Sequence, residues 1–254
     1  MPRLVVVDRT GSTNDDVLDG LRDDPEAWPT GALLLADHQT GGHGRLGRTW
    51  TAPAGTSLIG TFVVRPDPGA GGLGWLPLAV GLGTVRALRA AAGVEAWLKW
   101  PNDVLVVQPG ASLLDGWGDL RKVAGILAQV TADGAAVAVG VGLNVAQRVT
   151  DLPVPTATSL VLAGGSTDRQ ALLVALTGTL ADVVGRWRAG DASLADEVTQ
   201  VCTTLGRTVR VELPGGATVV GRAVRLAGDG ALVVADQEAE HRVLAGDVVH
   251  TSAL

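Results

Sequence analysis

Gln39–Trp50, with the sequence QTGGHGRLGRTW, is the most informative stretch of the chain. Its glycines let the backbone approach a ligand closely or adopt a positive φ angle. Its two arginines carry fixed positive charge on a planar, forked donor group that suits carboxylate and phosphate oxygens. These residues predict a loop that closes over an anionic small molecule.

The same stretch matches two nucleotide-binding patterns. Gly42–Gly47 fits G-x-G-x-x-G, and Gly42–Thr49 differs from a P-loop in having Arg48 where lysine is expected. Both motifs require a strand before the loop and a helix directly after it. Residues 32–37 supply a plausible strand, but residues 57–64 are rich in β-branched residues and predict a second strand instead of a helix. We therefore reject both motifs and predict that side chains and loop amides hold the anion.

Composition limits the class of protein and its partners. The chain has 254 residues, of which 46% are hydrophobic and 18% charged, as in a globular protein. Its net charge of −6, without a basic surplus in either part, argues against nucleic acid as a partner. A single cysteine, Cys202, fits a reducing compartment, and neither a signal peptide nor a membrane-spanning run is evident. We expect a cytoplasmic protein with no membrane partner.

Periodicity predicts a mixed α/β domain over residues 1–205. Ser12-x-x-Asp15 and Thr13-x-x-Asp16 both fit a capping box and predict the start of a helix. Either these residues only cap the helix, or the Ser, Thr and Asn side chains also bind a neutral polar group of a ligand. Residues 108–119, with Pro and Gly, are expected to form a mobile connector. The other elements follow from apolar alternation and helical spacing: strands near 4–7, 32–37, 57–64, 95–99, 103–107, 122–130 and 135–141, and helices over 75–92, from Asp168 to Trp187, and over 192–201.

The pattern changes from residue 206 to residue 254. Short alternating runs at 208–213, 217–226, 231–235 and 240–243 are separated by glycine turns. They predict a small all-β barrel of four or five strands without a catalytic cluster. His241 and His250 are expected to be isolated surface histidines.

Lysine is rare in this chain and stands at two places only, Lys99 and Lys122, against 18 arginines. Both lie in apolar, strand-like surroundings. Either each lysine lies on a solvated strand face by chance, or a compact ammonium is needed there. No metal-ligand spacing, G-x-S-x-G motif or activated cysteine is present, so any chemistry is expected to come from positioning and charge neutralisation.

Five motifs in order resemble the motif set of the biotin–protein ligases: Ser12-Thr13-Asn14, Gln39–Trp50, Lys99-Trp100-Pro101-Asn102-Asp103, Lys122–Leu127 and Gly140–Asn144. The resemblance implies an α/β catalytic domain with a mixed sheet, similar to class II aminoacyl-tRNA synthetases, followed by an SH3-like barrel. It also implies the reaction. Biotin and ATP would form biotinyl-5′-AMP and pyrophosphate, and a lysine of a biotin carboxyl carrier domain would then take the biotinyl group.

The resemblance also implies roles for individual residues. Lys99, Arg45 and Arg48 would be catalytic, with Arg45 and Lys99 neutralising the carboxylate and the α-phosphate. The biotin-binding set would be Ser12, Thr13, Asn14, Gln39, Gly42, His43, Gly44, Arg45 and Lys99. The ATP-binding and adenylate-binding set would be Arg45, Arg48, Trp50, Lys99, Asn102, Lys122 and Asn144. Mg²⁺ is expected to arrive with ATP, and Asp103 is a candidate metal-facing carboxylate.

Two departures and two alternatives accompany the resemblance. His43 stands where the family often has arginine, and the chain begins at the catalytic domain, so we expect a ligase without a repressor function, as a monomer or homodimer.

A lipoate–protein ligase or octanoyltransferase would share the fold. Against it, Gln39 and the Ser-Thr-Asn set suit a ureido ring, whereas a lipoyl chain needs an apolar tunnel. A non-catalytic regulator that binds through the barrel is the alternative from another class.

Overall fold

The computed structural model describes residues 3–251, whose strands form a seven-stranded sheet, a five-stranded sheet and a two-stranded hairpin. The first part of the chain contains these elements: β1 (Leu4–Thr10), α1 (Thr13–Asp23), β2 (Leu33–Gln39), β3 (Gly42–His43), β4 (Thr49–Trp50), β5 (Ser57–Val64), α2 (Leu76–Ala87), β6 (Ala96–Lys99), β7 (Asp103–Val107), β8 (Leu120–Val130), β9 (Val137–Asn144), α3 (Arg169–Arg188) and α4 (Ser193–Val201). The second part contains β10 (Thr208–Glu212), β11 (Thr218–Leu226), β12 (Leu232–Ala235), β13 (Glu240–Val243) and β14 (Asp247–His250).

The large sheet has the strand order β1-β2-β5-β9-β8-β7-β6. Its first pair, β1 and β2, is parallel, and every other neighbouring pair is antiparallel. The predicted mixed α/β domain is therefore confirmed. Strands β1, β8 and β9 extend beyond the apolar runs from which they are predicted, because cross-strand pairing continues through the polar and glycine positions at their ends.

Alternation along β9 separates the core from the opposite face of the sheet. Val137, Val139, Val141 and Leu143 are buried in the main hydrophobic core, which also contains α2. Gly140 and Gly142 face the other way, where a Cβ on Gly140 would overlap Asn14 and one on Gly142 would lie 2.6 Å from the Trp50 ring. Because these positions carry no side chain, Asn14 and Trp50 can lie directly on the sheet.

Helix α2 is buried on nearly all sides and continues as a π turn over Leu88–Ala92, as the apolar run 75–92 predicts. A side chain at position 81 would overlap Leu98 of β6, and Gly81 avoids this clash. The helix thus lies close against the strand that ends at Lys99. Helix α3 begins after Asp168, whose side chain accepts hydrogen bonds from two backbone amides of the first turn, as expected for an N-cap.

The five-stranded sheet has the order β13-β12-β11-β10-β14, with all pairs antiparallel, and confirms the predicted all-β domain. The expectation of an exposed His250 is wrong, since the residue is only 3% exposed. Alternation in β14 turns Val248 and His250 inward, and the imidazole Nε2 lies 3.2 Å from Thr204 Oγ1. Burial, together with the charge of Lys99, lowers the pKa of His250 to about 3.

Two tryptophans connect the domains. The indole N–H of Trp100, in the turn after β6, donates to the Gly230 carbonyl at 3.0 Å, and that of Trp75 donates to the Gly228 carbonyl at 3.0 Å. The barrel is thereby fixed against the turn that follows Lys99. Over residues 3–251, none of the helices has the length and apolar character needed to cross a bilayer.

Candidate functional site

A cavity of about 750 Å³ lies over the glycine-lined face of the large sheet, and residues of both domains line it. Each of the five motifs contributes to its wall. The predicted site residues that line it are Ser12, Thr13, Asn14, Gln39, His43, Gly44, Arg45, Arg48, Trp50, Lys99, Asn102, Asp103, Lys122 and Asn144. The topology thus brings together residues that are up to 132 positions apart in the sequence.

Gly42 is the predicted binding residue that does not line the cavity. It pairs with Trp50 in the β3–β4 hairpin, and a Cβ there would lie 2.5 Å from the Trp50 carbonyl oxygen and 2.6 Å from Gln39 Nε2. The close packing of the hairpin on Gln39 therefore explains this glycine. Its predicted direct contact with a ligand is not supported.

The loop between the two hairpin strands has the conformation that its sequence allows. Arg45–Gly47 form one 3₁₀ turn in which Leu46 and Gly47 have φ angles of 56° and 73°. Residues 49–64 then form β4 and β5 instead of a helix. The rejection of the P-loop and dinucleotide patterns is therefore confirmed, because neither motif has its helix here.

One end of the cavity is a neutral hydrogen-bonded network. Ser12 is the N-cap of α1, which selects the first of the two predicted capping boxes. Thr13 donates to Gln39 Oε1 through its amide at 2.7 Å and its hydroxyl at 2.9 Å, and Thr61 Oγ1 lies 2.8 Å from Thr13 Oγ1. Hydroxyl and amide groups of this kind can satisfy a polar, uncharged ligand group.

Asn14 belongs to this network through protein contacts alone. Its Nδ2 donates to the Leu127 carbonyl at 3.2 Å and to Gln129 Oε1 at 2.6 Å, and its Oδ1 accepts from Thr61 at 2.7 Å. The amide is therefore occupied on both sides. Asn14 therefore supports the neutral part of the cavity wall through these contacts, and its predicted contact with the ligand stays a prediction.

The other end of the cavity contains two cations that lack an anionic partner. Lys99 is only 5% exposed, yet across residues 3–251 its ammonium takes part in no hydrogen bond or salt bridge. Arg45 likewise has no carboxylate within salt-bridge distance in the described chain, and its Nη1 donates to Asn102 Oδ1 at 3.4 Å. Asn102 in turn donates to the Ile126 carbonyl at 2.8 Å, so it ties Arg45 to β8.

Burial shifts the titration of both cations. Desolvation lowers the pKa of Lys99 from its ordinary value, and nearby Lys122 adds to the effect against the opposing carboxylate of Asp103. Desolvation also lowers the pKa of Arg45, which Asp247 and Asp103 partly oppose. A desolvated cation without a partner is costly, and a bound anion would remove much of that cost.

Two further cations of the cavity are paired. Lys122 Nζ lies 2.6 Å from Asp103 Oδ1, and Arg48 forms a salt bridge with Asp247 of β14. His43 is exposed, and its Nε2 lies 2.8 Å from Asp15 Oδ2. In residues 3–251 no three His, Cys, Asp or Glu side chains are grouped so that they could hold a metal ion. Asp103 neutralises Lys122 in the structure.

Trp50 and Asn144 lie on the sheet where a planar group could stack. The Trp50 ring packs over Gly142, and Lys122 Nζ lies 5.8 Å from its centroid. Asn144 Nδ2 donates to the Thr158 carbonyl, and its Oδ1 accepts from Gln147 Nε2 at 2.9 Å. Trp50 Nε1 and Gln147 Oε1 are buried without a hydrogen-bond partner in the described chain, and both residues contribute to the cavity wall.

The sequence did not point to several residues of the site. Gln147 follows the Gly140–Asn144 motif, Trp117 lies in the connector before β8, and Asp247, Val248 and Val249 come from the barrel. Gln147 could have been suspected as a polar residue three positions after Asn144. The barrel residues carry no signal, because a short alternating strand does not show which other domain it contacts.

Comparison with known proteins agrees with this geometry. The Biotin/lipoate A/B protein ligase family matches residues 6–145, and the Biotin protein ligase C terminal domain matches residues 204–251. The chain is 40% identical over 253 residues to the biotin--[acetyl-CoA-carboxylase] ligase of Mycobacterium tuberculosis, which covers 98% of this chain and 89% of that protein. This chain belongs to the biotin/lipoate protein ligase family. The resemblance inferred from the five motifs is confirmed.

Further members of the ligase family are similar over most of the chain. The biotin--[acetyl-CoA-carboxylase] ligase of Paracoccus denitrificans is 38% identical over 190 residues, which is 71% of each protein. Among solved structures, the biotin protein ligase from Aquifex aeolicus in complex with biotin and ATP matches with a TM-score of 0.78 and 26% identity, over 98% of both chains. The family's α/β domain and its small all-β domain are therefore both present here.

Proposed function

We infer that the chain is an ATP-dependent biotin ligase that forms biotinyl-5′-AMP and transfers the biotinyl group to a lysine of a biotin carboxyl carrier domain. The observation that carries this inference is that one cavity contains both the buried, unpaired ammonium of Lys99 and the unpaired guanidinium of Arg45, together with a neutral polar network. A ligand that suits both ends has an anionic group at one end and an uncharged hydrogen-bonding ring at the other. Biotin has this form, and ATP supplies the second anion.

The first step joins two anions, and charge neutralisation is its main requirement. A carboxylate oxygen of biotin attacks the α-phosphorus of ATP, the bond to the β-phosphate oxygen breaks, and pyrophosphate leaves. Lys99 and Arg45 would face the carboxylate and the α-phosphate, where negative charge accumulates in the transition state. Both groups are fixed in the wall before substrates bind, so little reorganisation is needed during reaction.

The second step transfers the acyl group. A neutral lysine amine of the carrier domain attacks the acyl carbon, an amide bond forms, and AMP leaves with the electron pair of the broken carbon–oxygen bond. The same two cations would stabilise the departing phosphate. No cavity residue needs to act as a covalent nucleophile, and Cys202 is buried in the core, where burial raises the pKa of its thiol.

The remaining assignments follow the two ends of the cavity. Ser12, Thr13 and Gln39 would bind the ureido ring, and the backbone of His43 and Gly44 would close beside it. Trp50 and Asn144 would flank the adenine, with Gln147 as a further polar residue of the same part of the wall. Arg48 and Lys122 would contact the outer phosphates once ATP competes with their carboxylate partners.

We propose that magnesium enters as part of the ATP–magnesium substrate, held mainly by phosphate oxygens and water, as its coordination preference favours. In the structure Asp103 and Asp247 of the cavity wall are paired with Lys122 and Arg48. The proposed partner is a carboxyl carrier domain, without nucleic acid. A cytoplasmic location and a monomeric or homodimeric state remain predictions.

A lipoate ligase or octanoyltransferase of the same fold is the second candidate. The polar Thr13–Gln39–Thr61 network favours biotin, because a ureido ring can join it through its N–H and C=O groups, whereas a lipoyl ring offers it no hydrogen-bonding group. The test is pyrophosphate exchange into ATP, measured with biotin and with lipoate, followed by transfer to a carrier domain. Exchange with biotin alone supports the proposal. Exchange with lipoate alone, or with neither acid, contradicts it.

A further inference from the structure

Trp117 forms part of the cavity wall beside Lys99, although it lies outside all five motifs. It is carried by the connector between β7 and β8, and the centroid of its ring lies 5.3 Å from Lys99 Nζ. Its indole face is the one aromatic contact of that ammonium in the described chain. A ring face attracts a cation, and more strongly when the cation is desolvated, as Lys99 is.

Hydrogen bonds within the connector fix the position of Trp117. The backbones of Leu114 and Gly118 form an antiparallel bridge, with Leu114 N donating to Gly118 O at 3.0 Å and Gly118 N donating to Leu114 O at 2.8 Å. Arg121 of β8 is buried, and its guanidinium donates to the carbonyls of Gly118, Leu120 and Ser112. This part of the connector therefore forms a defined, hydrogen-bonded turn.

The barrel holds the same segment from the other side. Gly116 has a φ angle of 70°, and a Cβ there would overlap the backbone carbonyl of His250. The imidazole of His250 also hydrogen-bonds to the Gly116 backbone. The residues next to His250 in β14 line the cavity, so the connector is packed between the barrel and the cationic end of the site.

We propose that Trp117 is a positioning residue with two effects on the adenylate. Its ring face would hold the Lys99 ammonium toward the acid–phosphate junction, and its apolar surface would keep water from that junction. The proposal rests on the proposed ligase function. Trp117 would act on the reaction through Lys99.

The reaction that Trp117 would suppress is hydrolysis of the adenylate. Water attacks the acyl carbon, the bond between that carbon and the phosphate oxygen breaks, and AMP leaves with the electron pair. Biotin and AMP are the products, and two protons are released at neutral pH. An open path for water at the junction would therefore consume ATP without carrier modification.

Four variants separate the two effects. Trp117→Ala removes both the ring and the bulk, Trp117→Leu keeps an apolar surface without the ring face, and Trp117→Phe keeps both. Trp97→Ala is the matched control, because Trp97 is also half-buried and stacks on a cation, Arg89, at 5.0 Å, but does not line the cavity. Each variant is measured in the full chain by biotin-dependent pyrophosphate exchange and by single-turnover decay of biotinyl-5′-AMP without carrier.

We expect adenylate decay to be at least tenfold faster in Trp117→Ala and close to wild type in Trp117→Leu. We expect exchange to fall about tenfold in both, whereas Trp117→Phe and Trp97→Ala stay within threefold of wild type. The proposal would be overturned if Trp117→Ala showed the same rates of adenylate decay and pyrophosphate exchange as the wild type. It would also be overturned if Trp97→Ala changed both rates as much as Trp117→Ala does. If the alanine variant does not fold, equal exchange in the Leu and Phe variants overturns the positioning effect. Absence of adenylate in the wild type would instead overturn the ligase function itself, and this proposal with it.

Discussion

Replacing Lys99 by methionine tests the central electrostatic claim. The side chain is 5% exposed and has no anionic partner in residues 3–251, so methionine keeps the packing and removes only the charge. A unit-charge pair about 4 Å apart, at an effective dielectric constant of about 20, interacts by about 4 kcal/mol. Part of that energy already acts in the ground state, where it aids binding without aiding the chemical step.

The part of this interaction energy that is gained only in the transition state sets the size of the expected effect. Removal of one preorganised donor from a developing oxyanion costs about 3–4 kcal/mol, or a factor of roughly 10²–10³ in rate. We therefore expect biotin-dependent pyrophosphate exchange in Lys99→Met to fall by about 10²–10³. Lys99→Arg is the control, since it keeps the charge and changes the donor geometry, and it should retain more exchange than the methionine variant.

The stability of the same variant gives an independent readout. Methionine removes a desolvated ammonium without leaving a carboxylate unpaired, so the free energy of unfolding should not decrease. The pKa of Lys99 is lowered in the folded state, chiefly by burial. The unfolded chain therefore binds more protons between that lowered pKa and about 10.4, and wild-type stability should rise with pH across this window. Lys99→Met should lack this rise.

Near-normal exchange in Lys99→Met would refute the assignment of Lys99 to the transition state. A large loss of stability would also contradict the reasoning, because it would show that the contacts of the ammonium, including the Trp117 ring, outweigh the cost of its burial. Urea unfolding at several pH values measures the second point, and initial rates of exchange at saturating ATP and biotin measure the first.

Three further predictions follow from the contacts described above. Gly142→Ala should push the Trp50 ring from the sheet, lower the free energy of unfolding by about 1–3 kcal/mol and raise KM for ATP. Gly185→Ala, at an open helical position, is the control and should stabilise the protein by up to about 1 kcal/mol. Denaturant unfolding measures the stability of both variants, and steady-state kinetics measures KM. In His250→Gln the free energy of unfolding should fall less steeply as the pH drops from 6.5 to about 3. The reason is that the lowered pKa of His250 makes its contribution to wild-type stability fully present above pH 6.5 and progressively lost below it. The same pH dependence in the variant and the wild type would contradict this. Gln39→Leu should weaken biotin binding by roughly ten- to a hundredfold through loss of a buried amide, as measured by calorimetry without ATP, and normal affinity would remove Gln39 from the neutral end.

The fold could be predicted in its elements but not in its assembly. Residues 57–64 and 103–107 coincide with strands, because apolar β-branched runs follow the period of a pleated sheet. The extension of β9 to Asn144 could not be foreseen, since Gly140 and Gly142 weaken any strand pattern and are explained only by Asn14 and Trp50 lying on them.

The candidate site was predictable where a residue's chemistry is unusual for its surroundings. Lys99 stood out as a rare lysine in an apolar strand, and the structure buries it without a partner. Asn14 and Asn144 were found as motif members, but their hydrogen bonds run to carbonyls and amides that are distant in sequence. His250 was mistaken for a surface residue because its partner, Thr204, lies in another segment and cannot be identified from periodicity.

The cavity wall is completed by Asp247, Val248 and Val249, near the end of the chain. The first 205 residues alone would therefore lack part of the cavity wall. Inherited or engineered changes in the last strand would be expected to alter turnover as directly as changes in the glycine loop. A screen for inhibitors of this protein should accordingly count the seam between the two domains as part of its target.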